Sequence, residues 1–275
     1  MKKHLLFLFA ALLPMLASAQ TKVEIDGIWY NLISKAKQAE VTFKGDSYDE
    51  YYNEYSGSIT LPATVTHEGV EYSVTSIGRS AFSGCSSLTA INIPESVTSI
   101  GDDAFSSCSN LTAITLPDGV TSIGDDAFHG CSSLTDITIP EGVTSIGDDA
   151  FAYCSSLTAI NIPESVTSMG DYAFNGCSSL TAITLPESVT SIGRNAFLGC
   201  SSLTAINIPE SVTNIGNSAF RNCSSLTAIV LPKNLKYIYS QAFSNCSELL
   251  DVYCYAEKVP STKADAFDGH YIIKK

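Results

Sequence analysis

The chain has 275 residues, 45% of them hydrophobic and 16% charged, with a formal net charge of −13. That apolar content supplies a core and excludes global disorder. The acidic balance repels nucleic acid and anionic lipid, so neither is an expected partner.

In chain order, Lys2 and Lys3 precede an apolar run from Leu5 to Leu16, and Ala17-Ser18-Ala19 offers a small-x-small cleavage pattern. Residues 1–19 therefore read as a signal peptide. The apolar run is too short for a membrane-spanning helix, which takes about 20 residues, and no membrane insertion is expected after cleavage. No cysteine follows the cleavage site, so a lipoprotein anchor is not indicated. The mature chain is expected to begin at Gln20, outside the cell or at its surface, with a net charge of −15 once Lys2 and Lys3 are gone.

Residues 20–58 are expected to form a small β cap. Val23 to Leu32 alternates apolar and polar residues around Asp26-Gly27, a dipeptide suited to a tight hairpin, and Val41 to Phe43 adds a third strand. Such a cap shields the exposed core and strand edges of whatever follows. The stretch Tyr48-Asp49-Glu50-Tyr51-Tyr52-Asn53-Glu54-Tyr55 is aromatic and acidic. It reads first as a loop packed over the neighbouring structure, and second as a partner site.

Residues 59–248 are a repeat. Proline recurs at Pro94, Pro117, Pro140, Pro163, Pro186, Pro209 and Pro232, each 23 residues from the last. Cys85, Cys108, Cys131, Cys154, Cys177, Cys200, Cys223 and Cys246 keep the same step, as does Ala-Phe from Ala81-Phe82 to Ala242-Phe243. Within the unit Leu88 to Asn110, Leu88, Ile91 and Ile93 suit a short strand, which Pro94 stops because proline donates no ladder hydrogen bond. Val97 to Ile100 forms a second extended piece. Gly101 is expected to turn the chain, Asp102 or Asp103 to cap a single helical turn carrying Ala104 and Phe105, and Cys108 to close the coil as a small buried hydrophobe. One unit cannot bury its apolar face alone, so the units must stack into a mainly β solenoid of about eight coils. The first coil carries an insertion between Pro62 and Ile77, with a short hairpin at Glu68-Gly69. Residues 249–275 are expected to form a degenerate terminal coil or partial cap. There Leu249, Val252 and Cys254 take core positions, Ala266-Phe267 arrives one residue late, and His270 stands where the ladder cysteine would be.

The pattern Leu-x-x-Ile-x-Ile-Pro-x-x-Val-x-x-Ile-Gly-x-x-Ala-Phe-x-x-Cys, running from about Ser73 to Ser247, resembles the BspA-like (Treponema-type) leucine-rich repeat family. The resemblance implies a leucine-rich repeat solenoid and a surface or secreted protein, several relatives being associated with adhesion to host proteins or other bacteria. It fixes the fold better than the ligand.

Cysteines stacked about 4.8 Å apart with parallel side chains fit poorly to disulfide geometry, so the eight form a structural ladder of free, buried thiols. No Cys-x-x-Cys pair is present, and His67, His129 and His270 are far apart in sequence, so no metal site or cofactor is assigned. Serine recurs as part of the repeat without a histidine partner, so the chain does not read as an enzyme.

Function is expected on the outward columns. One reads Glu95, Asp118, Glu141, Glu164, Glu187, Glu210 and then Lys233. A second reads Asp102, Asp125, Asp148, Asp171 and then Arg194, and a third reads Asp103, Asp126, Asp149 and then Tyr172. The first two columns are the candidate partner-binding surface, suited to a basic protein partner; solubility and capping are the plainer reading. Calcium needs 6 to 8 oxygen ligands, and the glycine-aspartate nonapeptide of calcium-binding β-rolls is missing. Two variable columns follow phenylalanine, one through His129 and one through Tyr153, and the strand column Asn92, Thr115, Thr138, Asn161, Thr184, Asn207 and Val230 is more uniform. The chain thus reads as a secreted or cell-surface protein that binds another protein, such as a matrix or surface protein. The alternatives are glycan binding through the Asn/Thr strand face, and a purely structural scaffold.

Overall fold

The computed structural model describes residues 20–47, 53–256, 260–267 and 272–274. The signal peptide, most of the Tyr48–Tyr55 stretch and His270 therefore lie outside the described residues. Strands β1 (Gln20–Ile25) and β2 (Ile28–Ile33) pair antiparallel, and β3 (Gln38–Thr42) pairs with β2. Asp26 and Gly27 both have positive φ, at 52° and 81°, as a tight two-residue hairpin turn requires. β4 (Gly57–Thr60) follows, and β5 (Thr64–His67) and β6 (Val70–Ile77) form the inserted hairpin, turned by Glu68 and Gly69 at φ 50° and 77°.

From there each 23-residue coil contributes one longer and one two-residue strand. The longer strands are β7 (Leu88–Asn92), β9 (Ala113–Thr115), β11 (Asp136–Thr138), β13 (Ala159–Asn161), β15 (Ala182–Thr184), β17 (Ala205–Asn207), β19 (Ala228–Leu231), β21 (Asp251–Cys254) and β23 (Ile272–Lys274). With β4 they make a ten-stranded parallel sheet. The short strands are β8 (Ser99–Ile100), β10 (Ser122–Ile123), β12 (Ser145–Ile146), β14 (Ser168–Met169), β16 (Ser191–Ile192), β18 (Asn214–Ile215), β20 (Tyr237–Ile238) and β22 (Ser261–Thr262). β8 to β14 extend the sheet begun by β1, β2, β3 and β6, and β16 to β22 form a third sheet. The N-terminal hairpin covers the first coil's edge by pairing β3 parallel to β6.

Alternation explains which side chains point inward. In β7 and its continuation Leu88, Ile91 and Ile93 are buried while Asn92 is exposed, and the later coils repeat this pattern as far as Leu226, Ile229 and Leu231. Val97, Ile100, Ala104, Phe105 and Cys108 complete the buried set of a coil. Each fully buried large apolar side chain contributes on the order of 1.5–3 kcal/mol. Phenylalanines of successive coils stack nearly parallel, with ring centroids 5.2 Å apart at Phe82–Phe105 and 5.6 Å at Phe174–Phe197. Tyr55 closes this stack at one end, tilted 55° against Phe82, and its hydroxyl donates to the Thr42 carbonyl and accepts from the Trp29 N–H. At the other end Phe267 stacks on Phe243 at 4.8 Å. The one-residue delay at Ala266-Phe267 therefore leaves the stack unbroken.

The third side of the coil corrects one expectation. No helix is present among the described residues, and the stretch around Ala104-Phe105 is a run of turns. The N–H groups of Ala104, Ser106 and Cys108 donate three residues back within their own coil. Those of Asp103, Phe105 and Ser107 donate to Asp125, Ala127 and His129 of the next coil. Alternating the two targets needs left-handed backbone at Asp103 (φ 53°) and Ser107 (φ 60°), which breaks any helix. The same two positions recur in later coils as Asp126, Asp149, Tyr172, Asn195 and as Gly130, Tyr153, Gly176, Gly199. These are mostly the residue types that tolerate positive φ.

Candidate binding face

The exposed side of the ten-stranded sheet is built in columns. Parallel register sets Asn92 beside Thr115, Thr138 beside Asn161, and Thr184 beside Asn207, all exposed. Ala113, Asp136, Ala159, Ala182 and Ala205 form a second exposed column two residues earlier, small at every position except Asp136. Beyond each strand, proline ends the pairing and delivers one acidic residue to solvent: Glu95, Asp118, Glu141, Glu164, Glu187 and Glu210 are all exposed. Glu210 accepts the Lys233 N–H at 3.0 Å. The carboxylates of the other five make no hydrogen bond or ion pair among the described residues. The result is a flat polar strip bordered by an acidic edge.

The second acidic column is engaged differently. Oδ1 of Asp102 accepts the backbone N–H of Asp125 at 3.1 Å, and Asp125, Asp148 and Asp171 repeat this toward Asp148, Asp171 and Arg194 at 2.8, 2.7 and 2.7 Å. The expected helix caps are thus links between coils. They stand where coils approach most closely: a Cβ on Gly124 would lie 2.6 Å from the Asp102 nitrogen, and one on Gly147 2.6 Å from that of Asp125. From Gly101 to Gly216 this approach, and not backbone conformation, accounts for the glycine, since none of them has positive φ; the next coil carries Tyr239 at the same place.

Seven ladder cysteines, from Cys85 to Cys223, are free and buried, and Cys246 is half-buried. The Phe82 carbonyl takes the Cys85 N–H at 3.1 Å and the Cys108 thiol at 3.1 Å, so both its lone pairs are used. The pattern repeats to the Cys246 thiol on Phe220. Cysteine here is a small apolar side chain that also donates to an otherwise half-satisfied buried carbonyl. Burial pushes the thiols up, Cys85 to about 11 and Cys131 and Cys177 to about 12, which suits an inert ladder rather than a nucleophile.

Stacking also brings together residues the sequence holds apart. Asp126, His129 and Asp149, on the turn side of two adjacent coils, have ligand atoms all within 4.8 Å of one another. Beside them the exposed Tyr153 sets its ring edge-on to His129 at 5.4 Å. The signal available in the sequence was the sum of a three-residue turn and a 23-residue step, which a search for nearby histidines does not register.

A solenoid of stacked 23-residue coils with uniform exposed columns defines a repeat scaffold. The model of the BspA type leucine rich repeat region matches residues 51–181 and 144–274, and the chain belongs to that family. Among solved structures it is similar to a leucine-rich repeat protein from Bacteroides ovatus, with 29% identity, a TM-score of 0.64, and 85% of this chain and 71% of that one covered. It is also similar to the T. pallidum leucine-rich repeat protein, with 31% identity, a TM-score of 0.64, and 75% and 91% covered. No curated protein matches the chain. The matched family is a repeat region and not a catalytic one. No helix among the described residues is long and apolar enough to cross a membrane.

Proposed function

We propose that the chain is an exported repeat scaffold that binds a basic protein surface along the strip formed by the Asn/Thr column and its acidic border. The observation that supports this most is the contrast between the two acidic columns. Asp102, Asp125, Asp148 and Asp171 hold coils together, whereas Glu95, Asp118, Glu141, Glu164 and Glu187 face solvent with no internal partner among the described residues. Carboxylates aligned at one coil spacing repel each other by roughly 0.8 kcal/mol per pair in water before screening. A cationic partner relieves that repulsion, so the strip gains from binding without rearranging. Small Ala, Asn and Thr side chains beside it offer a flat surface with little rotamer entropy to lose. Export and adhesion at a cell surface belong to this reading, on the N-terminal signal pattern and the family.

The test is binding of residues 20–275 to immobilised extracellular-matrix proteins and to a glycan array, each at low and high salt. A variant with Glu95, Glu141, Glu164 and Glu187 changed to Gln runs alongside. Salt-sensitive protein binding lost in the variant is expected. Salt-insensitive glycan signal that survives in the variant would replace this reading with carbohydrate capture by Asn92, Asn161 and Asn207. Silence on both surfaces would leave a structural scaffold.

A further inference from the structure

On the turn side of the solenoid, away from the strip, Asp126, His129 and Asp149 form a mixed nitrogen and oxygen donor set. The repeat explains how they meet. The His129 N–H donates to the Asp126 carbonyl at 3.0 Å, which brings side chains three residues apart onto one turn. Asp149 occupies the place of Asp126 in the next coil, so stacking sets the second carboxylate beside the first. The backbone of all three is fixed between coils, since Asp126 donates to the Asp148 carbonyl at 2.8 Å and Asp149 to that of Asp171 at 2.9 Å. Their side chains are half-buried, and none takes part in a hydrogen bond or ion pair among the described residues. Asp103, the preceding member of the column, differs, because Arg79 pairs with it at 3.6 Å. Tyr153 packs edge-on against His129 and limits the imidazole's swing.

We infer that Asp126, His129 and Asp149 bind one divalent transition-metal ion of the zinc type, leaving its remaining positions open to solvent or to a ligand group from a partner. An imidazole with two carboxylates suits such an ion better than calcium or magnesium, which take oxygen ligands and more of them. Donor atoms around zinc, about 2.1 Å from the ion, stand about 3.4 Å apart in a tetrahedron. Bringing the present separations, within 4.8 Å, to that spacing takes movements of at most roughly 1.4 Å. The Asp126 and Asp149 carboxylates, half-buried and one coil apart, repel each other, and a bound cation relieves that repulsion. In other coils the set is broken: Ser106 or Ala152 stands in the place of His129, and Tyr172 or Asn195 in that of Asp149.

Those other coils also supply substitutions compatible with the fold. His129→Ala copies Ala152, and Asp149→Asn copies Asn195 at the same left-handed position. The experiment is calorimetric titration of reduced residues 20–275 with Zn²⁺, Ca²⁺ and Mg²⁺, with Co²⁺ absorption reporting the ligand type. One Zn²⁺ per chain is expected, with cobalt visible bands but no thiolate charge-transfer band, and at least about tenfold weaker affinity in each variant. Melting temperatures of the metal-free variants should match the parent. No saturable Zn²⁺ binding, equal affinity in parent and variants, a thiolate band pointing to Cys246 or Cys254, or tighter Ca²⁺ than Zn²⁺ would each overturn the assignment.

Discussion

At the residue scale the cysteine ladder carries the sharpest consequence. Burial raises the folded thiols from 9.0 to about 11 at Cys85 and about 12 at Cys131 and Cys177, and raises Cys108, Cys154, Cys200 and Cys223 as well. Unfolded thiols begin to ionise as pH passes 9, while the folded ones keep their protons. The unfolded state then binds fewer protons, and stability falls with rising pH, from 9 to about 11 for Cys85 and from 9 to about 12 for Cys131 and Cys177, by at most about 1.4 kcal/mol per pH unit for each thiol. Denaturant unfolding in reductant should therefore weaken steeply above pH 9, and less steeply in a Cys131→Ala, Cys177→Ala variant. Identical slopes in parent and variant would contradict the ladder. Thiol titration should find few reactive groups in the folded chain and about nine after denaturation. Removing a stacked ring is the other residue test: Phe151→Ala should cost about 3–5 kcal/mol in denaturant unfolding, because rigid neighbours on both sides cannot close the cavity.

At the scale of elements the decisive feature is the turn side, where backbone N–H groups alternate between their own coil and the next. Gly147→Ala would press a methyl group against the Asp125 nitrogen and the Gly124 carbonyl carbon, each 2.6 Å away, and should cost at least about 1–3 kcal/mol. Asp148→Ala removes the acceptor of the Asp171 N–H and should cost about 1 kcal/mol. Glu141→Gln, on the solvent-facing column, should change stability by less than about 0.5 kcal/mol. This is also where sequence and structure diverge. The Asp26-Gly27 and Glu68-Gly69 hairpins and the strand stopped by Pro94 were legible, because local chemistry decides them. The expected helical turn at Ala104-Phe105 was not, because every second N–H there takes its partner in the following coil. For the same reason Asp102 read as a cap when it links coils, and Gly101 read as a turn when it is needed for close approach. Asp126 lies one turn before His129 in the sequence, whereas Asp149 joins them only through stacking.

At the scale of the whole molecule the chain is a one-dimensional stack, each coil held by its neighbours. A lesion such as Phe151→Ala should loosen hydrogen-exchange protection around Phe128 and Phe174 before it reaches the N-terminal hairpin. Fold and period were visible in the 23-residue recurrence of Pro, Ala-Phe and Cys, whereas the division of labour between the acidic columns was not, since both look alike in sequence. That division is the centre of the functional reading. The most direct measurement compares two variants for melting temperature and for salt-dependent binding to the protein panel. One carries Glu95, Glu141, Glu164 and Glu187 changed to Gln, and the other carries Asp125 and Asp148 changed to Ala. The first should bind weakly or not at all and melt like the parent, while the second should melt lower and still bind when folded. Binding that survives in the first variant and disappears in the folded second would contradict the account.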